Sequence, residues 1–224
     1  MGEQDLKPTG SMAGYTAGAG GDISRVAGNI CHRAKNDFQT IANMLALASP
    51  FARSPEDLAE AMEGRVGAFS ICYSLISETG ATPVLDRLAE EVVRRSLWRV
   101  VTPPRVERNL PVLGLSLRLC SPLSLWLYEV VGNALQHGQR GGAAVLGISG
   151  RLDDEGLTIR VRDQGPGLPP GFHHERHARL GLKLAQAVAM TDLRGRFEFR
   201  DGRPGLEACL MVPARELEAL NRDA

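Results

Sequence analysis

Leu123, Leu125, Trp126, Leu127, Val130, Val131, Ala134 and Leu135 make one stretch of the chain apolar on nearly every side of a helix. A helix of that kind is stable only when buried, so the fold must cover it from several directions. Ser121 and Pro122 read as its start, with Ser as N-cap and Pro at the first helical position. Glu129, Asn133 and His137 recur at four-residue steps, about 40° apart in projection, and form one polar row. Buried polar groups without partners are costly, so the row is either a pocket floor or a seam satisfied by neighbouring backbone.

Two strand candidates follow, AAVLGISGRL (143–152) and LTIRVRD (157–163), separated by the turn residues Asp153, Asp154, Glu155 and Gly156. In the second, Leu157, Ile159 and Val161 alternate with Thr158, Arg160 and Arg162, the pattern of a sheet with one covered face. Asp163 closes the strand, and Gly165 and Gly167 after it permit a ligand to come close to the backbone. The polar segment PPGFHHERHAR (169–179) fits a mobile lid. His173, His174 and His177 within it lack the H-E-x-x-H spacing of a zinc site, and no cysteine is near. RLGLKLAQAV (179–188) and a closing hairpin, GRPGLEACLMVP (202–213), complete the C-terminal half.

The N-terminal half reads as helical. On a wheel of about 100° per residue, Val26, Ile30, Ala34, Phe38, Ile41, Leu45 and Ala48 share one sector about 120° wide. His32 lies about 180° from that stripe, among Arg25, Asn29, Asn36, Gln39 and Asn43, and is expected to face solvent. After the turn-forming SPFARSPED (49–57), Leu58, Met62, Val66, Phe69, Tyr73 and Ile76 repeat at three- and four-residue steps. A lone hairpin of this length cannot hide both stripes, so a second copy and a four-helix bundle are expected. VLDRLAEEVVRRSLW (84–98) reads as a third helix, followed by strand and loop over 100–119 with a break at TPP (102–104). An exposed imidazole is substantially unprotonated and nucleophilic near neutral pH. Asn36, one turn on, can orient the His32 ring, and Arg33 and Lys35 can offset charge on an incoming phosphoryl group. A surface histidine with no task is the competing reading of His32.

The segment HRAKNDFQTIANMLAL resembles the phospho-acceptor helix of bacterial sensor histidine kinases with an H-R-x-K-N box, a HisKA_2/HWE-like subgroup, and Arg65-Val66 resembles the same subgroup. By that resemblance His32 is the phosphorylated residue. The order E-x-x-x-N, hairpin, D-x-G-x-G, loop and RLGLKLAQAV resembles the nucleotide-binding boxes of the GHKL ATPases, which include histidine kinases, gyrase B, Hsp90 and MutL. The resemblance implies an α+β fold: an antiparallel helical hairpin followed by a Bergerat-type α/β sandwich. It implies ATP as cofactor, with Asp163 accepting the adenine amino hydrogen, and Asn133 ligating Mg²⁺ that bridges the phosphates, an oxygen-preferring cation. Glu129 joins His32 and Asn36 as a catalytic candidate, while His137, Gly165, Gly167, Gly181 and Lys183 join the cofactor set, Lys183 against the plainer reading of a solvated helix lysine. Two departures stand out: Arg179 where a first lid glycine is usual, and Leu206 where a threonine often follows the glycine.

The expected organisation is a disordered tail (1–21), a dimerisation and phosphotransfer hairpin (22–80), an ATP-binding domain (84–215) and a C-terminal tail (216–224). The 224 residues hold 26 basic and 26 acidic side chains, so no basic field invites nucleic acid. The four cysteines, at 31, 72, 120 and 209, show no disulfide spacing, which points to a reducing interior. No apolar run reaches about eighteen residues, so no membrane span and a cytoplasmic protein are expected. No sensor domain fits before the hairpin, so the signal is expected from a separate protein or from a part outside this sequence. The leading reading is a histidine autokinase passing phosphate to a response-regulator receiver domain. The alternatives are a phosphotransfer protein with a degenerate ATP domain, and a GHKL-type serine kinase or anti-sigma-like regulator whose hairpin only dimerises.

Overall fold

The computed structural model describes residues 17–52, 54–97, 100–138, 145–168, 171, 179–202 and 204–222. The first 16 residues of the expected tail, most of the expected lid with His173, His174 and His177, and the side chain of His32 lie outside the described residues and atoms.

Helix α1 spans Ala17–Ala48 and so begins inside the stretch read as a tail. A 3₁₀ turn, Ser49–Phe51, leads to α2, Pro55–Thr79. Local chemistry sets the ends of α2: the Ser54 hydroxyl accepts from the Asp57 N–H at 3.2 Å, Pro55 opens the first turn, and Gly80 closes the helix in the left-handed region. Helix α3, Leu85–Ser96, buries Leu85, Leu88, Ala89, Val92 and Val93 and keeps Arg94 and Arg95 in its last turn. Strand β1 (Arg105–Asn109) precedes α4, Leu117–His137. Then come β2 (Val145–Asp153), β3 (Gly156–Arg162), α5 (Leu180–Ala187) with a π-helical extension to Asp192, β4 (Arg196–Asp201), β5 (Leu206–Pro213) and α6 (Ala214–Asn221).

The five described strands form one sheet in the order β1-β2-β3-β5-β4, parallel between β1 and β2 and antiparallel elsewhere. Leu157, Ile159 and Val161 face inward opposite Val212, Leu210 and Ala208, as their alternation predicts. Helix α4 covers this apolar face, and Trp126 meets Phe197 edge-on with ring centroids 5.5 Å apart. On its other sides α4 packs against α2, α3 and α5, so the all-round apolar helix is indeed enclosed.

Several expectations are corrected. Helix α4 starts at Ser116, not Ser121: the Ser116 hydroxyl accepts from the Leu119 N–H and donates to the Leu220 carbonyl at 2.6 Å, while Pro122 lies inside the helix. Ser121 is fully buried and spends its hydroxyl on Asp37 Oδ2, 3.1 Å away. The apolar stripes hold in part: Ala48, Met62 and Phe69 are buried, and Ile41 and Leu58 pack against the core. Phe38, Leu45 and Val66 are 70%, 47% and 42% exposed, and among the described side chains the buried positions are Asp37, Met44 and Ala48 on α1 and Met62, Arg65, Ala68, Phe69, Ile71, Cys72 and Leu75 on α2. The inner face of α2 thus meets α4 rather than waiting for a second copy, and the Ser124 hydroxyl donates to the Ala68 carbonyl at 2.6 Å. Cys72 and Cys120 form a disulfide across this contact, their Cα atoms 6.1 Å apart, a pairing that a separation of 48 residues does not advertise. The segment read as a C-terminal tail is helical through Asn221. Leu217 and Leu220 are buried, and Asn221 caps the backbone at Gly114 and Ser116.

Candidate functional site

The polar row of α4 opens into a cleft of about 920 Å³. Glu129, Asn133 and His137 form one wall, and Asp163, Pro166, Gly167 and Leu168 from the turn after β3 form another. Arg179, Gly181 and Leu182 at the start of α5, and Leu206 at the start of β5, complete that side. Glu60, Ala61 and Arg65 of α2, Tyr128 of α4, and Ser96, Val100 and Val101 also line the cleft. The row is therefore a pocket wall, the first of its two readings.

Backbone groups fix Asp163 in the cleft. Its Oδ1 accepts the Gly165 N–H at 2.8 Å and the Leu206 N–H at 3.0 Å, and its own N–H donates to the Leu206 carbonyl. Both side-chain bonds converge on one oxygen, so Oδ2 is the oxygen available to a donor in the cleft. Gly205 makes this clamp possible: its φ is +89°, and a Cβ there would lie 2.0 Å from the Asp163 carbonyl oxygen. Sequence reading passed over Gly205, although the glycine before Leu206 was its signal.

The other expected residues divide. Gly167 and Gly181 line the cleft, whereas Gly165 lies beneath it and contributes its N–H to Asp163. Lys183 is exposed on α5 and absent from the cleft wall. Two residues along a helix turn the chain by about 200°, so the Lys183 side chain leaves α5 on a different side from Gly181. Arg179 is the N-cap residue of α5 and makes no side-chain capping bond. Leu206 reaches Asp163 through its backbone, so replacing the usual threonine leaves that bond intact. Asn36 is exposed on α1, and the bond expected from it to the His32 ring lies outside the described atoms.

Glu129 is more constrained than the motif alone implied. It is buried and paired with Arg65: Nε donates to Oε1 at 2.6 Å and Nη2 to Oε2 at 3.3 Å. The cue in the sequence was a charged residue on the inner face of the second helix, hidden because Val66 was assigned to that face instead.

A nucleotide fits these groups. The cleft falls within the range of small-molecule sites, and the outward oxygen of Asp163 is an acceptor for an exocyclic amine. No described group of three or more His, Cys, Asp or Glu side chains could hold a metal alone. A cation here would need ligand oxygens as well as Asn133, which is how Mg²⁺ is usually held beside phosphates.

A mixed sheet covered by a buried helix, with a cleft between that helix and an Asp-Gly turn, defines a GHKL-type ATPase domain, and residues 121–216 match the histidine kinase-, DNA gyrase B- and HSP90-like ATPase family. Residues 29–99 match the HWE histidine kinase family. The chain thus combines an HWE histidine kinase segment with a GHKL ATPase domain. The sensor histidine kinase PdtaS of Mycobacterium tuberculosis is 28% identical over 194 residues, covering 82% of this chain and 38% of its own. A blue-light-activated histidine kinase of Rhizobium johnstonii is 26% identical over 196 residues, covering 85% of this chain and 53% of its own. The chain spans about four-tenths to half the length of these relatives. In structure, the blue-light activated histidine kinase of Erythrobacter litoralis superposes with a TM-score of 0.68 at 17% identity, over 83% of this chain and 60% of that one, a likeness of fold. Among the described residues no helix is long and apolar enough to cross a membrane.

Proposed function

We propose that the protein is an ATP-dependent histidine kinase that phosphorylates His32 and passes the phosphate to an aspartate of a response-regulator receiver domain. In this reading residues 22–80 serve as the dimerisation and phosphotransfer hairpin of a cytoplasmic homodimer, and residues 84–215 hold ATP. Asp163 Oδ2 accepts the adenine amino hydrogen, Asn133 contributes an oxygen to Mg²⁺, and the backbone at Gly181 meets phosphate at the start of α5. Bound Mg²⁺ supplies charge neutralisation on the phosphates. The unprotonated imidazole nitrogen of His32 forms the new P–N bond as the bond from the terminal phosphorus to the bridging oxygen breaks. ADP leaves, and the proton on the other ring nitrogen is lost to water. Such transfer depends mostly on positioning and charge stabilisation.

The observation that carries the reading is Asp163, clamped by two backbone N–H groups at the edge of a cleft whose wall is the E-x-x-x-N row, in a chain that also bears the HRAKND helix. Incubation with γ-labelled ATP should yield an acid-labile, base-stable phosphoprotein, and His32→Gln should abolish the label. Persistence of label in that variant would end the proposal. Absence of ATP binding by calorimetry, with His32 still labelled by a phosphorylated regulator, would select the phosphotransfer protein instead.

A further inference from the structure

Arg65 has no part in the chemistry above, yet it sits at the rim of the cleft with its side chain only 9% exposed. It belongs to α2, in the segment matched to the histidine kinase family, and reaches across to α4 of the ATPase domain. Besides the two bonds to Glu129, its Nη1 donates to the Ala61 carbonyl at 2.7 Å, so the guanidinium is fixed at both ends. Gly181 closes the other side. A Cβ added there would lie 2.5 Å from Glu129 Oε2 and 3.9 Å from Arg65 Nη2, so the ion pair presses against the first turn of α5.

A buried ion pair is by itself weak evidence for stability, since an apolar pair of similar volume often does as well. Its place is the informative point. Under the nucleotide reading, phosphate arrives at the first turn of α5, beside the Glu129 carboxylate. Without the guanidinium, the negative charge of that carboxylate would repel the incoming phosphates, most strongly for the species carrying the most charge, and partial desolvation of the cleft strengthens the effect.

We infer that Arg65 is a positioning residue for the terminal phosphate: by holding and neutralising Glu129 it lets the cleft accept a nucleoside triphosphate in preference to the diphosphate, and it does so from the hairpin helix. The inference rests on the ATP reading of the cleft. It deepens that reading by tying triphosphate occupancy to the placement of α2.

The test is titration of the full chain with Mg·ATP and with Mg·ADP by calorimetry, in wild type, Arg65→Met and the double variant Arg65→Met/Glu129→Gln. Arg65→Met should lose ATP affinity by at least about tenfold while ADP affinity moves by less than about threefold. The double variant, with no carboxylate left to repel, should return to within about threefold of wild-type ATP affinity. Where Arg65→Met does not fold, Arg65→Gln replaces it, since it keeps a hydrogen bond to Glu129 but no positive charge. An equal loss for both nucleotides, an unchanged ratio, or a double variant still deficient for ATP would overturn the inference while leaving the kinase reading intact. A wild-type chain that binds neither nucleotide would overturn both.

Discussion

Helices α1 and α4 both carry apolar residues through their length and end in opposite circumstances. In α4, Leu119 to Leu127 are all buried, closed in by the sheet on one side and by α2, α3 and α5 on the others. In α1, Phe38 and Leu45 stand open while Asp37, Met44 and Ala48 take the buried positions. Asp37 is held by the Tyr73 hydroxyl at 2.8 Å and by Ser121. The described lining of the cleft thus comes from this one chain, whereas the described part of the helix carrying His32 leaves Phe38 and Leu45 exposed. Those two residues are what the proposed second copy would cover.

The contrast can be attacked at several points. Trp126→Ala should cost about 3–5 kcal/mol, because it empties the contact between α4 and Phe197, and denaturant unfolding would reveal a smaller loss if α4 were less enclosed than described. Replacing Cys72 and Cys120 together by Ala should cost about 2–4 kcal/mol, read as a lower melting temperature without reductant that reductant no longer changes. Asp163→Asn keeps a carbonyl oxygen for the Gly165 and Leu206 N–H groups but turns an amide donor toward the adenine amine. Its fold should persist while ATP affinity falls by about 1.5–3 kcal/mol, measured by calorimetry.

Ser54→Ala should remove about 1 kcal/mol by uncapping α2. The first-turn backbone N–H of Glu56, with help from Ser54, holds the Glu56 carboxyl below its ordinary range. Its contribution is therefore present above the unfolded-state value and fades only as pH falls through the lowered one. An acid titration of wild type against Ser54→Ala would show that difference shrinking at low pH. The smallest effect belongs to the open face: Phe38→Ala should change the chain's own stability by no more than about 0.5 kcal/mol, yet weaken self-association in sedimentation. A large loss of monomer stability would mean that Phe38 is already packed.

The sequence made legible whatever repeats locally. The period of two in Leu157, Ile159 and Val161 marked β3, and the period near four in Glu129, Asn133 and His137 marked the cleft wall. Less legible were features created by contacts between distant segments. Arg65 and Glu129 are 64 residues apart, and no periodicity links them. Ser116 was overlooked as a cap because its second partner, Leu220, belongs to a helix that the sequence suggested was a tail. Ser121 looked like a cap only because its real partner, Asp37, lies 84 residues away.

The account depends on a nucleotide in the α4 cleft giving its terminal phosphate to His32. Mass spectrometry of the chain after incubation with Mg·ATP, at neutral to alkaline pH so that a P–N bond survives, tests this most directly. One phosphate on the peptide containing His32, absent from Asp163→Asn, is the predicted result. Phosphate on a serine or threonine, or none under conditions where ATP binds, would contradict it.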